Sequence, residues 1–197
     1  MLGGFEPGDA GEVTDIIRRA PLAWVVSAGL RSSPLPLLAE TGPDGSVIAL
    51  LGHCGRRNPL VAAFAADPRG LVVFMGPQGY VGASLVSKQD WAPSWNYTAL
   101  RFSVAVTLVP DETLSAVAKL MHAMEGAGGR AMIDRLGPRR DALLGRIVAF
   151  RATVVATDHD LKLGQDESTE VFDEIVARHP DRELAAWMAR VGRPIRS

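Results

Sequence analysis

Residues 47–64 read VIALLGHCGRRNPLVAAF, and three local codes follow one another in that stretch. Val47 to Leu51 is an unbroken apolar run that opens on two β-branched residues, the pattern of a buried strand. Asn58 and Pro59 stand where a helix begins. An Asn side chain can accept from the unpaired N–H groups of the first turn, and a proline at the first helical position gives up nothing by lacking its own N–H. Between the two lies a polar turn, Gly52-His53-Cys54-Gly55-Arg56-Arg57, that carries two guanidinium groups. A helix start offers unpaired N–H groups and partial positive charge, and Arg adds forked donors, so this turn is a candidate anion site. The plainer alternative is that Arg56 and Arg57 are solvated surface charges and Asn58 is only a cap.

Working outward, Gly42-Pro43-Asp44-Gly45-Ser46 is a turn that joins Val47–Leu51 to a second apolar segment, Leu35 to Ala39, as a hairpin. Before it, Ala23 to Ser27 reads as a short buried strand, and Glu12 to Ala20 as a helix capped by Asp9 and ended by Pro21. Beyond the quoted stretch, Asp67-Pro68-Arg69-Gly70 ends the helix, Leu71 to Met75 is a fourth strand stopped at Gly76-Pro77, and Tyr97 to Val109 contains a fifth. An amphipathic helix follows from Asp111 to about Met124, then a break at Gly126 to Gly129 and a helical segment from Met132 to Leu144. Ile147 to Ala156 is a sixth strand, and Thr169–Arg178 and Arg182–Val191 are closing helices. Six short strands with no regular βαβ alternation predict a mainly β (α+β) fold, an antiparallel barrel with peripheral helices. One domain over residues 1–197 is expected, with the C-terminal helices at about 168–193 packed on it.

Composition narrows the function. A net charge of −1 and a pI near 6.4 give no field that holds a polyanion, so direct nucleic-acid binding is disfavoured. The lone Cys54 forms no internal disulfide, the first residues lack the blocks of a secretion signal, and no apolar run reaches the ~20 residues of a membrane span; a cytoplasmic location is expected. Nucleophile elbows, Walker loops and dinucleotide fingerprints are missing from the sequence. Asp158-His159-Asp160 lacks a further ligand at metal spacing and reads as a solvated turn, so no metal is expected. His53, His122 and His179 read as ordinary histidines and Cys54 as a packing residue. Two further stretches are chemically suggestive: Pro93-Ser94-Trp95-Asn96-Tyr97, whose rings could wall a flat ligand and whose amide could read an imide edge, and Lys162-Leu163-Gly164-Gln165-Asp166. Core packing at a barrel rim is the plain alternative for the first.

Taken in order, five segments resemble the PaiB-type FMN-binding negative transcriptional regulators, within the pyridoxamine-phosphate-oxidase-like split-barrel superfamily. They are Leu35-Pro36-Leu37-Leu38, Gly52-His53-x-x-Arg56-x-Asn58-Pro59, Phe74-x-Gly76-Pro77-x-x-Tyr80-Val81, Pro93-Ser94-Trp95-Asn96-Tyr97 and Lys162-Leu163-x-Gln165. The resemblance implies a six-stranded split barrel, a homodimer, and FMN at the interface between the two copies. It implies that Arg56, Arg57 and Asn58, with His53 nearby, grip the phosphate. Ser32, Ser33, Leu35, Pro36 and Leu37 would line the ring or ribityl chain, Trp95, Asn96 and Tyr97 would meet the ring, and Lys162 with Gln165 would reach in from the partner. Pro34 stands where the family commonly has His, and Gly82 to Val86 replaces an aromatic loop. The implied function is an FMN-dependent oxidoreductase or flavin-handling protein, with a small-molecule redox substrate that the sequence does not name. Two alternatives stay open: a regulator without autonomous DNA binding, or a split barrel holding another flat anionic ligand such as a deazaflavin, haem or pyridoxal phosphate.

Overall fold

The computed structural model describes Phe5 and residues 9–192. Its centre is a closed barrel of six strands: β1 (Leu22–Ser27), β2 (Ser32–Thr41), β3 (Val47–Gly55), β4 (Arg69–Val81), β5 (Ser94–Leu108) and β6 (Ile147–Lys162). They are ordered β1-β2-β3-β6-β5-β4, and every neighbouring pair is antiparallel. Strand side chains alternate between faces, so one set fills the barrel: Val25, Leu37, Leu50, Val72, Phe74, Leu100, Phe102 and Phe150 are all buried there. Phe74 and Phe102 meet edge to face at 6.0 Å. Gly52 is required by this packing. A Cβ on it would lie 2.3 Å from Leu37 Cδ2 and 3.1 Å from Phe150 Cζ, so the interior closes at this level only over a glycine.

Helices stop the two ends and cover one flank. Helix α1 (Ala10–Arg19), capped by Asp9, seats Val13, Ile16 and Ile17 at the end where the β2–β3 hairpin turns. Helix α2 (Pro59–Ala66) seats Leu60 and Phe64 at the opposite end. Helix α3 (Thr113–Glu125) packs outside β3 and β6, with Ala116 against Leu51 and Ala149. The short helices α4 (Gly128–Arg135) and α5 (Arg139–Leu144) follow it. Helices α6 (Thr169–Arg178) and α7 (Arg182–Val191) contribute Phe172, Ile175, Leu184, Trp187 and Met188 to the same core.

The barrel predicted from the sequence is present, but several strands are longer than the sequence implied. Gly76-Pro77 does not end β4. A bulge between Met75 and Gln78 absorbs the proline, which has no N–H for the ladder, and pairing resumes to Val81. Likewise β6 does not stop at Ala156: a register shift opposite Ser103/Val104 leaves Val155 out, and the strand runs on to Lys162. Asp158-His159-Asp160 is therefore strand rather than a solvated turn. The His159 ring stands 4.8 Å from Phe102, and burial pushes its pKa down. The helical segment expected over 132–144 is broken at Gly137, whose φ of +52 suits glycine, and helix α4 already begins at Gly128 inside the expected break.

Candidate functional site

Strand β3 extends to Gly55, so the cationic turn shrinks to Arg56-Arg57-Asn58, directly ahead of α2. Asn58 holds it in shape. Its Oδ1 accepts from the Leu60 N–H at 2.9 Å, and its Nδ2 donates to Ser33 Oγ at 3.0 Å, which ties the start of β2 to the start of α2. The Arg56 backbone N–H donates to Arg146 O at 2.9 Å and its Nε to Gly145 O at 3.1 Å. Arg56 and Arg57 are both exposed, so two guanidinium groups stand at the mouth of a capped helix. His53 lies on the outward face of β3 opposite Ala149. It is half-buried, its Nδ1 has no hydrogen-bond partner among the described residues, and desolvation pushes its pKa down, which favours the neutral ring.

On β2 the predicted residues divide by face. Ser32 is exposed and Ser33 meets Asn58, while Pro34 and Pro36 face outward. Leu35 and Leu37 turn inward to the core, so they can offer a ligand only their backbone. The other predicted cluster lies at the far end of β5 and β6. Trp95 is exposed and sits 5.8 Å from Tyr80, ring to ring. Tyr97 Oη donates to Asp160 Oδ2 at 3.0 Å; burial first, and this bond second, push the phenol pKa up. Lys162 Nζ donates to Ser94 Oγ at 2.7 Å and stands 3.9 Å from Asp166. Asn96 does not join them. It is 4% exposed and points inward, donating to Met188 Sδ at 3.4 Å, so its side chain does not face a ring on the barrel surface. Gln165 is engaged at both ends by its own loop, accepting from Leu163 N at 2.7 Å and donating to Leu161 O at 2.6 Å.

The two clusters do not meet within one chain. Gly55 pairs with Ile147 at the first residue of β6, and Tyr97 pairs with Lys162 at its last. Strand β6 therefore carries the two clusters at its opposite ends. Between the clusters the barrel exposes an apolar face that the sequence analysis did not single out. Leu22 is 60% and Trp24 52% exposed, and Leu71 and Met75 are more than a third exposed. Trp24 pairs with Pro34 on one side and Val73 on the other. The alternation in Leu22-Ala23-Trp24-Val25 carried this signal: with Ala23 and Val25 inside, Leu22 and Trp24 must point out. A second feature not foreseen is a groove of about 520 Å³ between α1, α3 and the far ends of β2 and β3.

A closed, six-stranded antiparallel barrel with flanking helices is a split-barrel architecture. A family model described as "Putative FMN-binding domain" matches residues 3–156, and the chain belongs to this FMN-binding family. It is 26% identical to "Protease synthase and sporulation protein PAI 2" of Bacillus subtilis over 185 residues, 91% of this chain and 88% of that protein, in agreement with the PaiB-type resemblance. Among solved structures it is similar to the FAD and heme binding protein from Mycobacterium smegmatis, with a TM-score of 0.60 at 17% identity over 86% of this chain and 77% of that one. It is also similar to the flavocytochrome Anf3 from Azotobacter vinelandii, with a TM-score of 0.60 at 13% identity over 78% and 67%. These two likenesses concern the fold. FMN is the cofactor that the family membership assigns.

Proposed function

We propose that the chain is a flavoprotein, an oxidoreductase or flavin-handling protein, whose FMN is held between two copies. The observation that carries this reading is the turn Arg56-Arg57-Asn58 at the mouth of α2, in a chain of an FMN-binding family. Its donor set fits a phosphate: two exposed guanidinium forks stand at the positive end of a helix whose Leu60 and Val61 N–H groups are already taken up by Asn58. The outward strip of Pro34, Pro36 and His53 would carry the ribityl chain and ring, with Ser32 and Ser33 at the phosphate end. A neutral His53 adds no charge beneath the ring. When bound, FMN supplies hydride or electron transfer; the chain's own residues bind and orient it.

The separation of the clusters supports a homodimer. With the clusters at opposite ends of β6, a second copy would bring Trp95, Tyr97 and Lys162 to a flavin anchored at Arg56 and Arg57, and the face around Leu22, Trp24, Leu71 and Met75 offers an apolar surface for that contact. Asn96 and Gln165 would serve that edge indirectly, by fixing the strand and loop that carry Trp95 and Lys162. No helix among the described residues is long and apolar enough to cross a membrane. Cys54, buried in the core with its thiol pKa pushed up, suits a reducing cytoplasm. A regulatory role is the second reading, favoured by the Bacillus relative named as a sporulation protein. It would work through a partner, because α6 presents Glu170 and Asp173 to solvent, a poor face for phosphates.

The test is to purify the native protein and identify what it carries. A yellow dimer releasing one FMN per chain is expected; a colourless protein that fails to take up added FMN overturns the proposal.

A further inference from the structure

The groove between α1, α3 and the sheet has a chemistry of its own. Its wall is mainly apolar, formed by Ile17, Pro21, Leu38, Leu51 and Met124, while Arg18, Lys119 and His122 stand along it. Its volume, about 520 Å³, is that of a small-molecule site rather than of a peptide or nucleic-acid groove. The charges around it are unbalanced. Asp15 is shared by Arg18, Arg19 and Arg190, which leaves positive charge in excess beside α1. Glu40 is the one carboxylate lining the groove, and it is already held by Arg151 at 2.7 Å and by Lys119 at 3.7 Å. Arg151 is in turn shared with Glu112, so that cluster is neutral. An apolar trough with net positive charge at its edge complements a molecule that has an apolar body and a single negative head.

We propose that this groove binds a small amphipathic carboxylate, with its body against Leu38 and Leu51 and its carboxylate toward Arg18 and His122. The position adds a functional consequence. Leu38 lies two residues beyond Pro36 on β2, and its register partner Leu51 lies two residues before His53 on β3, all on the same outward face. Two residues of strand advance ~7 Å, so a ligand in the groove adjoins the strip given above to the flavin ring. That adjacency rests on the FMN reading; carboxylate binding does not.

The test is calorimetric titration of the intact protein with decanoate, and with decylamine as the charge-reversed probe, before and after saturation with FMN. Decanoate is expected to bind saturably at one per chain, and decylamine about tenfold or more weaker. The exposed Arg18→Glu variant should weaken decanoate by about tenfold or more while leaving FMN uptake unchanged. Absence of saturable decanoate binding, equal affinity for decylamine, or indifference to the charge reversal overturns the proposal. Decanoate binding that persists in a protein unable to take up FMN would sustain the groove and overturn the flavin reading alone.

Discussion

Replacing Asn58 separates its role as a cap from the proposed phosphate site beside it. In Asn58→Ala the Leu60 N–H loses its acceptor and Ser33 Oγ loses its partner. A lost cap costs about 1 kcal/mol, and a lost neutral hydrogen bond about another. In a domain of this size each kcal/mol lowers the unfolding midpoint by roughly 2–4 °C, so a fall of about 4–8 °C is expected. Asn58→Asp keeps the acceptor, lets Ser33 turn its hydroxyl to donate, and places negative charge at a helix start, so its midpoint should stay near that of the parent. FMN should distinguish it sharply. A carboxylate ~6 Å from one phosphate charge, at an effective dielectric of ~20, opposes binding by about 3 kcal/mol, roughly a hundredfold in affinity. Thermal unfolding followed by circular dichroism and FMN titration followed by flavin fluorescence report the two effects independently. If Asn58→Asp binds FMN as tightly as the parent while Asn58→Ala unfolds early, Asn58 is only a cap and the phosphate lies elsewhere.

Three other perturbations probe the scaffold. Trp24→Glu puts a charge in the middle of the exposed apolar face, and light scattering should show a monomer that has also lost FMN; an intact dimer would remove that face from the interface. Gly52→Ala forces a methyl against Leu37 and Phe150, and overpacking of about 1–3 kcal/mol should lower the unfolding midpoint by several degrees, whereas an unchanged midpoint would mean that Leu37 yields freely. Hydrogen bonds from Arg190 and Arg18 hold the Asp15 carboxyl down at about 2, against an ordinary 3.8. The unfolded chain takes up this proton first, so the stabilisation is complete above 3.8 and is lost as pH falls toward about 2. Urea unfolding across that window should be flatter in Asp15→Asn, and a parallel loss in both proteins would rule out Asp15 as the source.

The parts of the fold legible in the sequence were those governed by local rules. Asn58-Pro59 marked the start of α2, and Thr169 and Arg182 marked the first residues of α6 and α7, because capping and helical periodicity are short-range signals. Strand ends were less legible. Gly76-Pro77 has the composition of a stop, yet the bulge there depends on β5 lying alongside, and the sequence does not state that pairing. The extension of β6 through Asp158 and Asp160 depends in the same way on Arg101 and Tyr97 across the strand boundary. At the candidate site, residue identity was legible and side-chain direction was not. Asn96 stands between Trp95 and Tyr97 in the sequence, but strand alternation sends it alone into the core. The groove had no sequence signature because its walls come from α1, β2, β3 and α3, which only the closed barrel brings together.

The central claim is that guanidinium groups at the mouth of α2 hold the phosphate of the flavin. Titrating the apoprotein with FMN and with riboflavin, which differ only in that phosphate, tests it directly, in the parent and in the Arg56→Ala, Arg57→Ala double variant. The parent should prefer FMN by about a hundredfold, the worth of two charge-assisted contacts, and the double variant should bind both flavins with the parent's weak affinity for riboflavin. Equal affinities in the parent, or a preference for FMN that survives loss of both arginines, would contradict the account.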